Sequence, residues 1–557
     1  MEQKRSWINA TTLGDLIDMR ADLHPDKEAI VFRDDRYTYS DIAREATKIS
    51  KSLLALGVEP GDRIGYFLGE SVDTVLIMLG AAKIGAICAP INSRFKPREL
   101  RQVIVHAGMK VVFTTASDAG TDFNDLIQRT FPQIAESESS SLSFEEAPEL
   151  QTIVVMDEIE RAGTVNLTKL NSLAESVSDE DVLLRQSGVR VRETAIIMYT
   201  SGTTAMPKGA MLSHEAFSRY GMSLQERMLL NEDDRIWSAL PMFHIGGVAF
   251  MLASIFVGGT YFHTGYFDPG VALAQIRDEE CTVALPAFET IWLPIISHED
   301  RADSDFDSLR TLMCVGVPER LREFQKATPN APLLNACGQT EACAFLGLSE
   351  LDDDPELRFT KGGFPMPGLE IEVHDPDTEA TLPFGSVGEL WYRGPAMFDG
   401  YFRDEELNET VFDERGFFRT GDICEIDLDG RVTFLSRLKD MLKVGGENVA
   451  AAEVEGYLLT HPAVALAQVV AAPDERYVEV PAAYIQLNPG AEATEKEIID
   501  FCKDEIATFR IPRYVRFVDE WPMSGTKIQK FALREMIAEE LKSKGIKSAA
   551  KMSSSKD

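Results

Sequence analysis

The sequence is poor in positive charge and in cysteine pairs. Its 56 Lys and Arg residues stand against 90 Asp and Glu residues, which gives a formal net charge of −34. Because so negative a chain repels polyanions, a nucleic-acid partner or an anionic membrane surface is excluded except at a local basic patch. The seven cysteines form neither a CxxC pair nor a cluster with histidine. This pattern is typical of reduced thiols and excludes a zinc or disulfide framework.

Long hydrophobic runs are also missing. The longest, at residues 76–91 and 246–259, are too short to cross a bilayer and fit buried helices better. Residues 1–12 lack the apolar core of a secretory signal. We therefore expect no transmembrane segment and a cytoplasmic location. The nucleotide-binding motif GxxxxGK[ST] is absent as well, so any phosphate-binding loop must be of another type.

Short apolar strands and amphipathic helices alternate along the first part of the chain. The segment Glu28–Phe32 is a strand candidate, and Ser40 is placed to cap a helix that stops at Gly57. Further strand candidates lie at residues 63–68, 86–91, 111–115 and 152–156. Strands separated by helices are typical of α/β layers with largely parallel sheets.

A second unit begins near residue 437, as expected for a chain of 557 residues, which is too long for one core. One helix is expected after Ala450, and another starts at the capping box formed by Thr494 and Glu497. We predict an N-terminal domain at 1–436, a C-terminal domain at 437–545 and a disordered polar tail at 546–557.

The segment YTSGTTAMPKG, residues 199–209, follows a β-branched strand candidate at 194–198. Hydroxyls and backbone N–H groups can donate to phosphate oxygens, glycine allows close approach, and lysine adds positive charge. Taken alone, such a loop is more often a surface turn. The candidate phosphate contacts are Thr200, Ser201, Gly202, Thr203, Thr204 and Lys208.

This loop resembles the YTSGTTGxPKG signature of the adenylate-forming superfamily, which includes acyl-CoA synthetases, luciferases and peptide-synthetase adenylation domains. Ala205 stands where that family usually has glycine. Further family-like segments follow in the family's order: LPMFHIGG, ACGQTE, GELWYRGP, FFRTGD, SRLKDMLKVGGENV and PMSGTKIQK. The resemblance covers about residues 10–540. It implies an α/β fold with a large N-terminal domain of layered α/β subdomains and a small mobile α+β C-terminal domain.

The resemblance also implies roles for single residues of the large domain. His244 lies in the segment that lines the acyl pocket, Thr340 matches the α-phosphate contact, and Glu341 matches the Mg²⁺ ligand, with Gly338 beside them. Asp422 matches the residue that accepts hydrogen bonds from both ribose hydroxyls, as a carboxylate with two oxygens can. Cys337 replaces an aromatic residue that often stacks near adenine in the family.

The C-terminal segments match the hinge and the small rotating domain of the family. Arg437 matches a ribose contact, and Lys439 matches the hinge about which the small domain rotates. Gly445 and Gly446 match the turn that approaches the pantetheine thiol, where missing side chains permit close backbone approach. Lys527 matches the catalytic lysine, and Thr526 precedes it where glycine is usual.

These matches imply an ATP- and Mg²⁺-dependent carboxylic acid–CoA ligase that works through an acyl-adenylate, with ATP, Mg²⁺ and coenzyme A as its cofactors. Amino-acid adenylation domains place Asp where His244 stands, so an α-amino acid substrate is not expected. His244, Cys314, Val315 and the apolar stretch 246–256 favour an apolar acid. Fatty, aryl, alicyclic and steroid-side-chain acids all remain open.

Other functions also fit the residues. An acyl-AMP ligase that serves a carrier protein, or a luciferase-like oxygenase, would share the ATP-handling motifs. A non-catalytic nucleotide- or acyl-binding protein is suggested by the departures at Ala205, Cys337 and Thr526. Against it stand Glu341 and Lys527, whose loss would mark an inactive enzyme. Partners are expected to be small molecules, and a homodimer is compatible with the sequence.

Overall fold

The computed structural model describes residues 10–137, 140–200, 207–438, 441–444, 447–503, 505–524 and 527–550, and structural statements below concern these residues. The strands of the N-terminal part are β1 (Glu28–Phe32), β2 (Asp35–Thr38), β3 (Arg63–Phe67), β4 (Ile87–Pro90), β5 (Met109–Thr114), β6 (Ser117–Asp118), β7 (Thr121–Asp122), β8 (Thr152–Val155), β9 (Val165–Asn166), β10 (Thr194–Thr200), β11 (Lys208–Ser213), β12 (Arg235–Trp237), β13 (Thr260–His263), β14 (Val283–Phe288), β15 (Thr311–Val315), β16 (Leu333–Leu334), β17 (Ala336–Cys337), β18 (Gly347–Leu348), β19 (Phe364–Pro365), β20 (Glu370–His374), β21 (Thr381–Leu382), β22 (Ser386–Arg393), β23 (Phe418–Ile426) and β24 (Val432–Arg437).

Helices separate most of these strands. They are α1 (Leu13–Leu23), α2 (Tyr39–Ala55), α3 (Val72–Lys83), α4 (Pro97–Ala107), α5 (Phe123–Thr130), α6 (Leu167–Ala174), α7 (Asp179–Gln186), α8 (His214–Met228), α9 (Ile245–Val257), α10 (Pro269–Asp278), α11 (Glu289–Ile296), α12 (Pro318–Ala327), α13 (Pro355–Thr360) and α14 (Glu405–Val411). Short 3₁₀ turns lie at Pro132–Glu136, Asp303–Phe306 and Thr340–Ala342.

Within the described residues, two seven-stranded sheets form the layered core. The first sheet has the order β16-β15-β14-β12-β13-β1-β2, and the second has the order β11-β10-β4-β3-β5-β8-β9. Only the edge strands β2 and β11 run antiparallel to their neighbours. The predicted α/β class with largely parallel sheets is confirmed, because buried helices such as α3 and α9 cover the sheet faces.

Helix α2 shows how the sequence sets an element boundary. Its buried residues Ile42, Ala46, Ile49 and Leu53 recur at helical spacing, as predicted. The predicted cap at Ser40 is wrong. Thr38 caps the helix, because its side chain accepts from the Asp41 backbone while the Asp41 carboxylate accepts from the Thr38 N–H, a complete capping box.

A third layer is antiparallel. Strands β21-β20-β22-β23-β24 form a five-stranded sheet, and β17-β18-β19 form a smaller one beside it. In the third layer Asp422 of β23 pairs in register with Arg437 of β24. This layer therefore brings two residues predicted to contact ribose onto neighbouring strands.

The C-terminal part has its own elements and its own apolar clusters. They are β25 (Leu442–Val444), β26 (Glu447–Val449), α15 (Ala451–Leu458), β27 (Val464–Asp474), β28 (Val478–Leu487), α16 (Glu495–Cys502), β29 (Tyr514–Phe517), β30 (Met523–Ser524), β31 (Lys527–Ile528) and α17 (Lys530–Ser543). The capping box of Thr494 and Glu497 is confirmed.

The predicted tail needs a correction for its first residues. The Ala549 N–H donates to the Asp474 carboxylate at 2.6 Å, and the Glu475 N–H donates to the Lys547 carbonyl at 2.9 Å. Ala549 is buried. Residues 546–550 therefore pack on the C-terminal unit and are not a disordered tail, and residues 551–557 lie outside the described part of the chain.

The helices in the described part of the chain include none that combines the length and the apolar character needed to cross a bilayer.

Candidate active site

The predicted phosphate loop connects two strands of an antiparallel hairpin. Strands β10 and β11 pair so that Thr200 lies opposite Lys208. The Thr200 hydroxyl faces the Lys208 carbonyl at 3.5 Å. Next to the loop, the Tyr199 hydroxyl lies 2.9 Å from Nδ1 of His106. The ends of the loop are thus fixed by sheet pairing and by a side-chain contact from helix α4.

A short extended segment, residues 399–402, pairs with the outer edge of this hairpin. The Asp399 N–H donates to the Met211 carbonyl at 2.8 Å, and the Phe402 N–H donates to the Gly209 carbonyl at 2.8 Å. The pairing places the Tyr401 ring 5.2 Å from the Lys208 ammonium, a cation–π distance.

Tyr401 joins the hairpin to the predicted metal ligand. Its hydroxyl donates to Oε1 of Glu341 at 2.6 Å, and Glu341 is only 8% exposed. Burial and the Glu341 charge raise the pKa of Tyr401 well above its ordinary range, so the phenol stays protonated and remains a donor. Lys208, Tyr401 and Glu341 thus form one continuous contact chain.

The backbone around Glu341 is tightly folded. Thr340 and Glu341 lie in the 3₁₀ turn, and Cys343 and Ala344 follow it with φ values of 57° and 114°. These are unfavourable values for residues with a side chain. A Cβ added at Gly338 would lie 1.8 Å from the Ala344 carbonyl oxygen. Gly338 is therefore required for this close approach, and the strained turn fixes where the Glu341 carboxylate points.

Asp422 and Arg437, both predicted ribose contacts, form an ion pair. Nε of Arg437 lies 2.7 Å from Oδ1 of Asp422, and Asp422 is 7% exposed. The Asp422 N–H donates to the Thr420 hydroxyl at 2.9 Å, which holds the strand end. Cys337 lies nearby, and burial, with a smaller effect from the Asp422 charge, raises the pKa of its thiol to about 12. The thiol is neutral at this position.

Tyr392 lies close to both carboxylates. Burial raises its pKa well above the ordinary range, and the charge of Glu341 and, less strongly, that of Asp422 add to the rise. Tyr392 is fully buried, and its hydroxyl has no hydrogen-bond partner among the described residues. The charges of the predicted metal ligand and of the predicted ribose ligand thus both act on Tyr392.

The predicted acyl segment forms what we call the acyl loop, residues 240–244. His244 caps α9, with Nδ1 accepting from the Gly246 N–H at 3.2 Å, and it is exposed. The Phe288 ring faces the His244 ring edge-on at 6.5 Å, and Val315 is 36% exposed. Cys314 and the α9 residues within 246–256, in contrast, are buried in the core. The expectation that they line the pocket is wrong, because α9 is packed against α8, α1 and β13 and its residues are buried there.

The predicted catalytic lysine lies on a small hairpin of the C-terminal unit. Lys527 begins β31, which pairs antiparallel with β30. Three residues later, Lys530 lies 2.5 Å from the buried Glu455 carboxylate, which also accepts from the Val469 N–H at 2.6 Å. The ion pair anchors the end of the lysine hairpin on helix α15.

Several predicted residues lie outside the described part of the chain: Ser201, Gly202, Thr203, Thr204, Ala205, Lys439, Gly445, Gly446 and Thr526. The strands next to the paired glycines, β25 and β26, run antiparallel with Val444 opposite Glu447. These residues keep their roles as predictions.

The sequence reasoning missed several supporting residues. Tyr401 lies between the family-like segments GELWYRGP and FFRTGD, so its phenol could have been considered as a donor to Glu341. Tyr392 and Tyr199 lie in the quoted segments GELWYRGP and YTSGTTAMPKG, but their contacts could not be predicted, because the residues they meet lie far away in the sequence. The same holds for Lys530, whose partner is 75 residues away.

The layered α/β fold, and the contact of the hairpin with the buried Glu341 through Tyr401, agree with the resemblance to the adenylate-forming superfamily of AMP-forming ligases. Residues 17–402 match the AMP-binding enzyme family, and residues 453–527 match the AMP-binding enzyme C-terminal domain. The chain belongs to this family.

Relatives that align over most of the chain include CoA ligases. The medium-chain fatty-acid–CoA ligase of Escherichia coli (strain K12) is 31% identical over 548 residues, which span 97% of this chain and 92% of that protein. Among solved structures, the anthranilate CoA ligase AuaEII in complex with anthranoyl-AMP has a TM-score of 0.83 at 25% identity over 96% of this chain and 98% of that one. ATP-bound MatB from Rhodopseudomonas palustris has a TM-score of 0.82 at 25% identity, covering 95% of this chain and all of that chain. The predicted family, fold class and AMP-forming acyl-CoA ligase class are confirmed.

Proposed function

We propose that this chain activates an apolar monocarboxylic acid as its acyl-adenylate and passes the acyl group to coenzyme A. The observation that carries the proposal is the Tyr401 hydroxyl contact to Glu341. It holds a buried carboxylate beside Lys208 and the hydroxyl-rich hairpin, an arrangement suited to a polyphosphate and its counter-ion.

The chemistry explains why these groups are needed. A carboxylate and an α-phosphate repel each other by roughly 4 kcal/mol at about 4 Å and a surface-like dielectric. Lys208 and Lys527 supply positive charge that offsets this repulsion and stabilises the departing pyrophosphate. The Lys530–Glu455 pair supports Lys527 by fixing its hairpin.

The residues fit a magnesium ion at Glu341. Mg²⁺ prefers hard oxygen ligands and usually takes one or two carboxylates together with substrate phosphates and water. Glu341 offers such oxygens, and the described residues gather no group of three or more His, Cys, Asp and Glu side chains that would suit a closed metal cage. When bound there, the ion would polarise phosphoryl oxygens.

The ribose is assigned to Asp422 and Arg437. The Asp422 carboxylate has two acceptor oxygens, which suits two neighbouring hydroxyls. Arg437 lies 2.7 Å from one of these oxygens and keeps the carboxylate oriented. The α-phosphate is assigned to Thr340, the neighbour of Glu341 in the strained turn.

The acid is assigned to the cleft at the acyl loop. Exposed His244, half-buried Phe288 and Val315 present aromatic and aliphatic surface. Such a surface suits a medium-chain or aryl acid. A medium-chain acid is also named for the Escherichia coli relative, and an aryl acid for the anthranilate ligase.

The second half-reaction belongs to the small domain. We assign the approach to the pantetheine thiol to Gly445 and Gly446, and the pivot to Lys439, because Lys527 must leave before the thiol enters. The domain boundary at 436/437, a homodimer and a cytoplasmic location remain predictions.

The test is a purified-enzyme assay with ATP, Mg²⁺ and a panel of octanoate, benzoate and related acids. Pyrophosphate and acyl-CoA are measured with and without coenzyme A. We expect acyl-CoA from at least one acid, and its loss in Lys527→Ala. Lys496→Ala is the matched control, because that side chain is 84% exposed and pairs with Asp500 on the surface.

Each other outcome has a defined meaning. Pyrophosphate release without thioester formation would contradict transfer to coenzyme A and favour a carrier-protein acceptor or oxygenation. Full activity in Lys527→Ala would contradict the assigned role of that lysine. Absence of any AMP-forming activity across the panel would count against the proposed substrate class.

A further inference from the structure

The acyl loop lies between the first and second sheets and is held from both. From the first sheet, Nε2 of His263 lies 3.1 Å from the Leu240 carbonyl. The Gly265 N–H donates to Nδ1 of His263 at 2.9 Å, so Nε2 carries the proton and donates to Leu240. Burial lowers the pKa of His263 to about 4, so this donor is a neutral imidazole at neutral pH.

The second sheet holds the loop at Met242, and it does so on both sides of that residue. The Tyr66 hydroxyl donates to the Met242 carbonyl at 2.6 Å, and the Met242 N–H donates to Oε2 of Glu70 at 3.0 Å. Tyr66 belongs to β3, and Glu70 follows shortly after that strand ends at Phe67. One strand end therefore fixes both peptide groups of Met242.

The Tyr66 contact is buried, and the Glu70 contact is partly buried. Tyr66 is 1% exposed and Met242 is also 1% exposed. Burial raises the pKa of Glu70 to about 7, while the hydrogen bond from Met242 opposes the rise. The charge of Asp118, in β6, raises the pKa of Glu70 further, and the charge of Arg94 lowers it. A buried peptide hydrogen bond that loses its partner is costly to leave unmade, so the backbone at Met242 has little freedom.

Phe243 and His244 follow Met242 directly; Phe243 is half-buried and His244 is exposed. The Met242 backbone therefore sets the direction in which these two side chains leave the loop. Behind them, a Cβ at Gly247 would lie 2.4 Å from the Pro241 carbonyl oxygen, so α9 packs too closely for the loop to shift backwards. The loop is therefore held by His263 at Leu240 and by Tyr66 and Glu70 at Met242.

We propose that Tyr66 and Glu70 are positioning residues for the acid substrate, because they fix the Met242 backbone and so orient Phe243 and His244 toward the acyl group. The inference rests on the proposed function, which places the acid at the acyl loop. It assigns no contact between Glu70 and the substrate. We expect the effect to fall on the acid, because Tyr66 and Glu70 contact the acyl loop at Met242. The hairpin strand β10 is separated from β3 by β4, and the Asp422–Arg437 pair lies in the third layer.

The test compares three variants on the acid that gives acyl-CoA with the unmodified enzyme. Glu70→Ala removes the acceptor, Glu70→Gln keeps an acceptor oxygen without the charge, and Tyr66→Phe removes the donor. We expect Glu70→Ala and Tyr66→Phe to raise the KM for the acid about fivefold to tenfold. The KM for ATP should stay within twofold, and Glu70→Gln should restore most of the acid affinity.

Thr114→Val is the matched control. It removes another buried hydrogen bond to the end of the same strand, from the Thr114 hydroxyl to the Phe67 carbonyl at 3.0 Å, without touching the acyl loop. We expect the KM for the acid to stay within twofold in this variant. Melting temperatures establish that each variant is folded.

The results separate this inference from the proposed function. If the unmodified enzyme makes no acyl-CoA, the proposed function fails. If it is active but Glu70→Ala leaves the KM for the acid unchanged, or raises the values for ATP and acid equally, the positioning role is overturned. If Tyr66→Phe does not fold, the comparison of Glu70→Ala with Glu70→Gln decides the question alone.

Discussion

Replacing Tyr401 by phenylalanine removes a single hydroxyl from the acidic end of the site. The ring would keep its place 4.9 Å from the Phe398 ring and 5.2 Å from the Lys208 ammonium. What is lost is the 2.6 Å hydrogen bond to Glu341. Removing a partner that orients a metal-binding carboxylate typically costs 10- to 100-fold in metal affinity or activity.

We therefore expect Tyr401→Phe to lower kcat/KM for ATP by about 10- to 100-fold. The Mg²⁺ concentration for half-maximal rate should rise, because the carboxylate is no longer held in one orientation. The assay is the initial rate of pyrophosphate release, measured over a series of Mg²⁺ concentrations at a saturating concentration of the acid.

Tyr457→Phe is the matched control for this experiment. Its hydroxyl donates to the Phe501 carbonyl at 2.9 Å within the small domain, so a tyrosine hydroxyl bond is lost there too. We expect its Mg²⁺ dependence to match the unmodified enzyme. If Tyr401→Phe is folded and its rates stay within twofold of the unmodified enzyme at every Mg²⁺ concentration, the reasoning is refuted.

Three further outcomes are expected. Tyr392→Phe should raise the free energy of unfolding in urea by about 1 kcal/mol, because it removes a buried hydroxyl that has no partner among the described residues; a clear loss of stability would contradict this. The pKa of Glu70 rises from 4.5 to about 7 in the folded protein, so the folded state binds the proton more tightly than the unfolded state. The stabilisation from the protonated carboxyl group is therefore fully present below pH 4.5 and is lost as pH rises through 7. Glu70→Gln should therefore gain up to about 3 kcal/mol of unfolding free energy relative to the unmodified enzyme between pH 4 and pH 8, and a constant difference over that range would contradict the assignment. Lys530→Met should slow adenylate formation about tenfold, because it releases the Lys527 hairpin from Glu455. Single-turnover kinetics would measure this rate, with Lys542→Met as the control. A rate in Lys530→Met equal to that of the control would contradict the expectation.

Helix and strand boundaries were predicted well where the residues that determine a boundary lie close together in the sequence. The strand Glu28–Phe32 and the capping box at Thr494 are confirmed because a few neighbouring residues determine each. The cap of α2 was misplaced for a physical reason. Thr38 has a carboxylate three residues later and Ser40 does not, so only Thr38 can form the reciprocal pair with Asp41.

The site was predicted only in part, because much of it depends on partners that are far apart in the sequence. The resemblance indicated Glu341 and Asp422, but the hydrogen bond from Tyr401 to Glu341 spans 60 residues. The contact from Glu70 to Met242 spans 172 residues. No periodicity encodes such pairs, since they arise when two sheets pack. Cys314 was misassigned for the same reason, as a strand-end residue can face the core or the cleft.

The ion pair of Arg437 with Asp422 connects a predicted nucleotide contact with the point where the chain leaves the third layer. Arg437 is the last residue of β24, after which the chain leaves the third layer for the small domain. With the ribose bound as proposed, the Asp422 carboxylate would contact the nucleotide and Arg437 together, so nucleotide binding and the tether at this exit would share one side chain. By reciprocity, any rearrangement of the exit that alters the tether must change nucleotide affinity by the same factor by which the nucleotide changes the rearrangement. A measurement of adenosine affinity would therefore report on the arrangement of the two predicted domains, without an attached probe.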